Sequence, residues 1–139
     1  MNKYVHQVKY YETDRMGYAH HSNYLRWMEE ARIELMDELG FGYEKMEEEG
    51  IVSPVTAANL KYRRSCTFPD NVHIALSVKN FNGIRLVMEY VMTFDDGDVI
   101  CTAESEHCFL SENGRPLNMK KKNPGFYEAV LSLTDPERN

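Results

Sequence analysis

Hydrophobic and polar positions alternate along three long stretches of the chain, and the alternation predicts strands. Val72, Ile74, Leu76 and Val78 recur at every second residue, the period of a strand with one buried face. Asn82-Gly83 follows, a pair suited to the positive backbone angles of a tight hairpin. Ile84, Leu86, Met88, Tyr90, Met92 and Phe94 repeat the period on the next strand. Asp96-Gly97 predicts another turn, residues 98–111 a third long strand, and Glu112 to Pro116 a further turn.

Elsewhere the period becomes helical. Tyr24, Met28, Ala31, Leu35 and Leu39 form an apolar stripe, which predicts a helix over residues 23–39. Ser22 is placed as its N-cap and Gly40 just beyond its C-cap. Residues 4–11 and 51–64 read as strands, with Pro54 pointing to an edge or a bulge. Glu44 to Glu49 suits a short helical turn, and Pro124 to Leu133 a short helix with Pro124 in its first turn. Long strands joined by tight hairpins make a twisted antiparallel sheet. Only one long helix is available to cover it, so the pattern predicts an α+β sheet wrapped around a central helix. With no repeat, linker or low-complexity segment, residues 1–139 read as a single domain.

Composition narrows the function classes. A chain of 139 residues with 42% hydrophobic and 12% aromatic content is large enough to bury about 68% of its unfolded surface. It lacks the polar bias of disorder. No apolar run approaches the ~20 residues of a membrane helix, and the first residues carry no apolar signal core. A cytoplasmic protein without a membrane span is expected. Net charge of -6 argues against non-specific nucleic-acid binding. It leaves room for an anionic ligand at the local clusters Lys61-x-Arg63-Arg64 and Lys120-Lys121-Lys122. Cys66, Cys101 and Cys108 have no metal-ligand spacing. Cys101 and Cys108 on one strand would stand ~23 Å apart, beyond disulfide reach. All three read as reduced structural thiols.

The stretch from Tyr10 to Gly40 carries the candidate chemistry. Asp14 sits in a loop, Gly17 frees the backbone, and the helix starts soon afterwards. A helix N-terminus presents unsatisfied N–H groups and partial positive charge. An acid beside such donors is the minimum equipment for acyl transfer: a carboxylate to attack or to activate water, and an oxyanion site. His20-His21 has no third ligand at a set spacing, so no metal is expected. Glu29 and Arg32 lie three apart on the helix and read as a solvated ion pair, with a structural role.

Asp14-x-x-Gly17, then His21-x-Asn23-Tyr24, then Glu29-x-Ala31-Arg32 resembles the signature of the 4-hydroxybenzoyl-CoA thioesterase family of hotdog-fold acyl-CoA thioesterases. The resemblance implies the hotdog fold, the same architecture the hydrophobic pattern reaches alone. It implies Asp14 as nucleophile or general base, and sequence does not choose between them. By position, the His21 backbone N–H would polarise the thioester carbonyl, Gly17 would serve loop geometry, and Asn23 and Tyr24 would order the loop or line the acyl pocket. Arg63, Arg64, Lys120, Lys121 and Lys122 are candidates for the coenzyme A phosphates. Sites built between subunits imply a homodimer or homotetramer. The expected reaction is hydrolysis of a fatty or aromatic acyl-CoA, with no cofactor beyond the coenzyme A of the substrate. Two alternatives stand beside it: hydrolysis of acyl groups from acyl carrier protein, and a non-catalytic acyl-CoA binding module.

Overall fold

A computed structural model describes residues 2–134. Strand β1 (Asn2–Gln7) leads to helices α1 (Ser22–Glu38) and α2 (Tyr43–Glu48), then to strands β2 (Ile51–Val52), β3 (Val55–Tyr62), β4 (Asn71–Phe81), β5 (Arg85–Thr93), β6 (Val99–Cys108) and β7 (Leu110–Ser111), and last to helices α3 (Met119–Lys122) and α4 (Pro124–Leu131). Five strands form one antiparallel sheet in the order β1-β4-β5-β6-β3, while β2 and β7 pair separately. This is the expected α+β hotdog arrangement, with α1 packed on the sheet.

Register explains the core. Ile74 faces Met92, Leu76 faces Tyr90 and Val78 faces Met88 across β4 and β5. Met92, Tyr90, Met88 and Leu86 then face Cys101, Ala103, Ser105 and His107 of β6. These inward layers pack with Tyr24, Trp27, Met28, Ala31 and Leu35 of α1 in one buried cluster. Each large apolar side chain so buried contributes about 1.5–3 kcal/mol. A bulge between Val78 and Asn80 shifts the register of β4. One extra residue lets Val78 and Phe81, three apart, both point inward.

Several boundaries differ from the sequence expectation. The first strand stops at Gln7, and Tyr10–Glu12 forms a 3-10 turn because the Glu12 carboxylate accepts the Lys9 N–H at 2.7 Å. The cap of α1 is His21 rather than Ser22, whose hydroxyl bonds His20 instead. Gly40 does follow the C-cap, with φ of +84°. The expected strand over 51–64 breaks around Pro54 into β2 and β3. The β4–β5 turn also takes in Ile84, which is 49% exposed rather than facing the core. Asn82 Oδ1 accepts the N–H groups of Ile84 and Arg85 there, at 2.9 and 2.8 Å. Helix α3 was not predicted, because its three lysines read only as charge.

Arg32 overturns the expected ion pair. It is buried, and its Nη1 donates to the Tyr90 hydroxyl at 3.0 Å, whereas Glu29 is exposed. The α1 stripe is broader than five apolar positions, so residue 32 turns inward with Trp27 and Met36. Cys66 and Cys101 are buried free thiols and Cys108 is half-buried. Burial pushes the Cys66 thiol up and Cys101 up to about 11, so thiolate is scarce at pH 7.

Candidate active site

The Asp14 loop is closed on itself and anchored from below. Thr13 bridges Ala19, the Asp14 N–H donates to the Tyr18 carbonyl at 2.8 Å, and the Gly17 N–H donates to the Asp14 carbonyl at 3.0 Å. Gly17 has φ of +85° and open space where a Cβ would stand. Its glycine therefore serves backbone conformation rather than close approach. The Thr67 hydroxyl donates to the Gly17 carbonyl, and the Ala19 N–H donates to the Cys66 carbonyl at 2.8 Å. These bonds tie the loop to the segment leading into β4.

Glu12 holds the whole arrangement, and sequence reading missed it. It is 6% exposed, yet its carboxylate is fully employed. Oε1 meets His6 Nε2 at 2.8 Å and accepts the Lys9 N–H, while Oε2 accepts the Trp27 Nε1–H at 2.8 Å. Its carbonyl accepts the His20 N–H and the Asn23 amide, both at 2.9 Å. One residue thus joins β1, the loop and the first turns of α1. Burial alone would raise the Glu12 carboxyl. The bonds from His6, the Lys9 N–H and Trp27 outweigh it and hold the carboxyl below its ordinary value. Glu12 followed by a distant Trp carries no motif, so no sequence signal marked it.

Asp14 is half-buried in this frame. One oxygen accepts the Met16 N–H at 2.9 Å, and the other has no hydrogen-bond partner among the described residues. At the start of α1 the backbone donors are nearly all spoken for. The N–H groups of Ala19, His20, Ser22, Asn23 and Tyr24 each meet an acceptor. The His21 N–H alone in that run has none among the described residues. Asp14 and His21 line one open cavity of about 260 Å³, together with Met16, Tyr24, Arg63 and Arg64.

The predicted residues divide into three groups. Asp14, His21, Tyr24, Arg63 and Arg64 converge on this cavity. Tyr24 does so from the core: its ring packs on Trp27 and Tyr62, and its hydroxyl meets Cys66 Sγ at 3.4 Å. Gly17 and Asn23 support the loop from outside the lining. Asn23 is buried between the Glu12 carbonyl and Arg26, so it orders the loop instead of lining the pocket. Lys120 and Lys121 are elsewhere in the chain. Helix α3 hangs on the β4–β5 turn, where the Met119 N–H donates to the Gly83 carbonyl. That turn and the Asp14 loop stand at opposite ends of β4, whose 11 residues span roughly 35 Å. A single chain therefore does not bring these lysines to Asp14. The two arginines differ as well. Arg64 is paired with Asp98 and lies over the Phe94 ring, whereas Arg63 has no ion pair among the described residues.

The model of the thioesterase-like superfamily matches residues 8–132. The chain belongs to this superfamily of hotdog-fold proteins, and its class is thioester hydrolase. It is 34% identical to a Bacillus subtilis protein named "Putative acyl-CoA thioesterase YneP", over 88% of this chain and 90% of that one. A DHNA-CoA thioesterase structure from Staphylococcus aureus superposes with a TM-score of 0.89 at 32% identity, covering 94% of this chain and 88% of that one. A hypothetical protein from Aquifex aeolicus gives 0.87 at 28% identity, over 94% and 99%. The match is to the superfamily, coarser than the 4-hydroxybenzoyl-CoA thioesterase family that the Asp14 loop resembles. Among the described residues, no helix is long and apolar enough to cross a membrane.

Proposed function

We propose that the protein is a cytoplasmic acyl-CoA thioesterase of the 4-hydroxybenzoyl-CoA type, acting on a fatty or aromatic acyl group. The observation that carries this reading is the pairing, on one cavity, of a carboxylate oxygen and an amide N–H that the fold leaves unused. The thioester carbonyl sits with its oxygen on the His21 N–H, which stabilises the developing oxyanion. Asp14 either attacks the carbonyl carbon or takes a proton from the attacking water. In the first route the C–S bond breaks to leave an acyl–Asp14 anhydride, which water then hydrolyses, its proton passing to the thiolate; in the second the adduct of water expels the thiolate, which takes up the proton held by Asp14. Either way coenzyme A leaves as thiol and the acyl group as carboxylate. The names of the Bacillus and Staphylococcus relatives support a coenzyme A thioester as substrate. Thiol release measured across an acyl-CoA panel and an acyl-carrier-protein substrate tests it. Turnover on acyl-CoA is expected. Turnover confined to the carrier-protein substrate, or binding without thiol release, would favour the two alternatives in turn.

Arg63 is the cation best suited to the nucleotide phosphates, since Arg64 is already paired. Arg63→Gln should raise KM about ten-fold with kcat little changed, the mark of lost uniform binding. The effect should vanish with acyl-pantetheine, which lacks the nucleotide. Equal losses on both substrates would remove Arg63 from phosphate recognition. Lys120 and Lys121 enter this scheme only across a subunit boundary.

A homodimer completes the site. Strand β3 leaves one sheet edge unpaired and is exposed along nearly its whole length, a ready template for another chain. Tyr10, Tyr11, Met16, Tyr18, Tyr62 and Phe68 add exposed apolar surface around the Asp14 loop, as interaction surfaces do. Sedimentation should show at least a dimer of the 16.2 kDa chain. An active species of one chain at micromolar concentration would overturn this.

A further inference from the structure

A second, larger cavity of about 370 Å³ lies toward the far end of α1, walled by Met36, Phe41, Met46, Leu86, Met88 and Phe126. It shares no lining residue with the Asp14 cavity. Its polar lining residues are Arg32, Tyr43, Glu47, Ser53 and His107; Arg32 is the cation among them, and among the described residues Glu47 forms no ion pair with it. Arg32 is 7% exposed and makes no ion pair among the described residues. Its Nη1 starts a buried relay: Tyr90 hydroxyl at 3.0 Å, then Ser105 Oγ at 2.5 Å, then His107 Nε2 at 2.7 Å. Its Nε is buried without a hydrogen-bond partner among the described residues. Tyr43 stands on the same cavity wall.

The relay leaves Arg32 uncompensated. Burial, and then the charge of Arg32 itself, push His107 down to about 4, so its imidazole is neutral at pH 7. A buried charge without a counter-ion is costly, and so is a buried donor without an acceptor. A guanidinium with free donors matches a carboxylate in shape and charge. The surrounding walls are apolar, as in small-molecule pockets of this size.

We propose that this cavity is a second ligand site that takes a small apolar monocarboxylate, its carboxylate on Arg32 and its hydrocarbon body among Met36, Leu86, Met88 and Phe126. The site is independent of the Asp14 chemistry and stands whether or not that reaction is correctly assigned.

Calorimetric titration of the full chain with benzoate and cyclohexanecarboxylate tests this, with benzamide and cyclohexanecarboxamide as uncharged controls. The acids should bind one per chain, and the amides at least about ten-fold more weakly, the scale of a lost charged hydrogen bond. Arg32→Met removes a buried unpaired charge, a change that cores often tolerate, and should weaken the acids by at least the same factor. Val52→Trp, at the exposed rim of the cavity, should do likewise without touching Arg32. If Arg32→Met does not fold, the acid-to-amide ratio and the Val52 variant decide. Asp14→Asn should leave acid affinity unchanged. Absence of acid binding at about 10 mM, equal binding of acids and amides, or loss of binding in Asp14→Asn would each overturn the proposal.

Discussion

Asp14→Ala should lower kcat for acyl-CoA hydrolysis at least ~100-fold, the scale of a lost general base or more, while the chain stays folded. The folded state loses little, because among the described residues the Asp14 side chain makes a single hydrogen bond, to the Met16 N–H on an exposed turn. Such a bond contributes about 1 kcal/mol. The reaction loses the group that attacks or activates water in the proposed scheme. Asp14→Asn is the sharper variant, since it keeps the acceptor for Met16 and removes the charge. It should show the same loss. Thiol release at saturating acyl-CoA measures kcat, and circular dichroism checks folding. Turnover near the wild-type rate in either folded variant removes Asp14 from the chemistry.

Glu12→Ala should produce the largest loss of stability of any single change near the site. It strips a buried network and leaves His6 Nε2, the Trp27 Nε1–H and the Lys9 N–H without their partner, while His6 Nδ1 keeps Glu30. Breaking a buried charged network of this kind costs about 3–5 kcal/mol, which lowers Tm by roughly 10–20 °C for a chain of this size. The same residue gives an acid limb to stability. Its carboxyl is held below the ordinary value in the fold, so the unfolded chain binds that proton more tightly. The contribution is complete above the unfolded value near ~4.3 and fades as pH falls through the lower folded value. Thermal melts from neutral pH to acid should therefore show a slope below about pH 4 that Glu12→Gln flattens. An unchanged Tm in Glu12→Ala would mean that the network does not anchor the loop.

What could be read from the chain follows from which physics is local. The alternation of Val72 to Val78 and of Leu86 to Met92 sets the sheet faces, and glycines at 40, 83 and 97 mark turns with positive φ. The Asp14 loop was legible because the loop and the helix start are neighbours in sequence. Arg32, Ser105 and His107 were not legible, because their inward orientation depends on register and helix packing rather than on residue type. The bulge in β4 and the split around Pro54 are likewise settled by pairing with distant strands. Glu12 was not legible, because its partners His6 and Trp27 meet it only in space. The lysines at 120 to 122 show the limit of reading charge without position. Their charge suggested a phosphate site, but the chain carries them to the other end of β4.

In the proposed mechanism the thioester is cleaved between Asp14 and the unpaired amide of His21. A ketone analogue of acyl-CoA, with methylene in place of the thioester sulfur, presents the same carbonyl without a leaving group. Two-dimensional amide NMR of the wild-type protein, titrated with this analogue to saturation, tests the claim at the atom concerned. A hydrogen bond from the carbonyl should move the His21 amide proton downfield and slow its exchange, with smaller shifts for Met16 and Arg63. A saturating analogue that leaves the His21 amide unmoved would contradict the account.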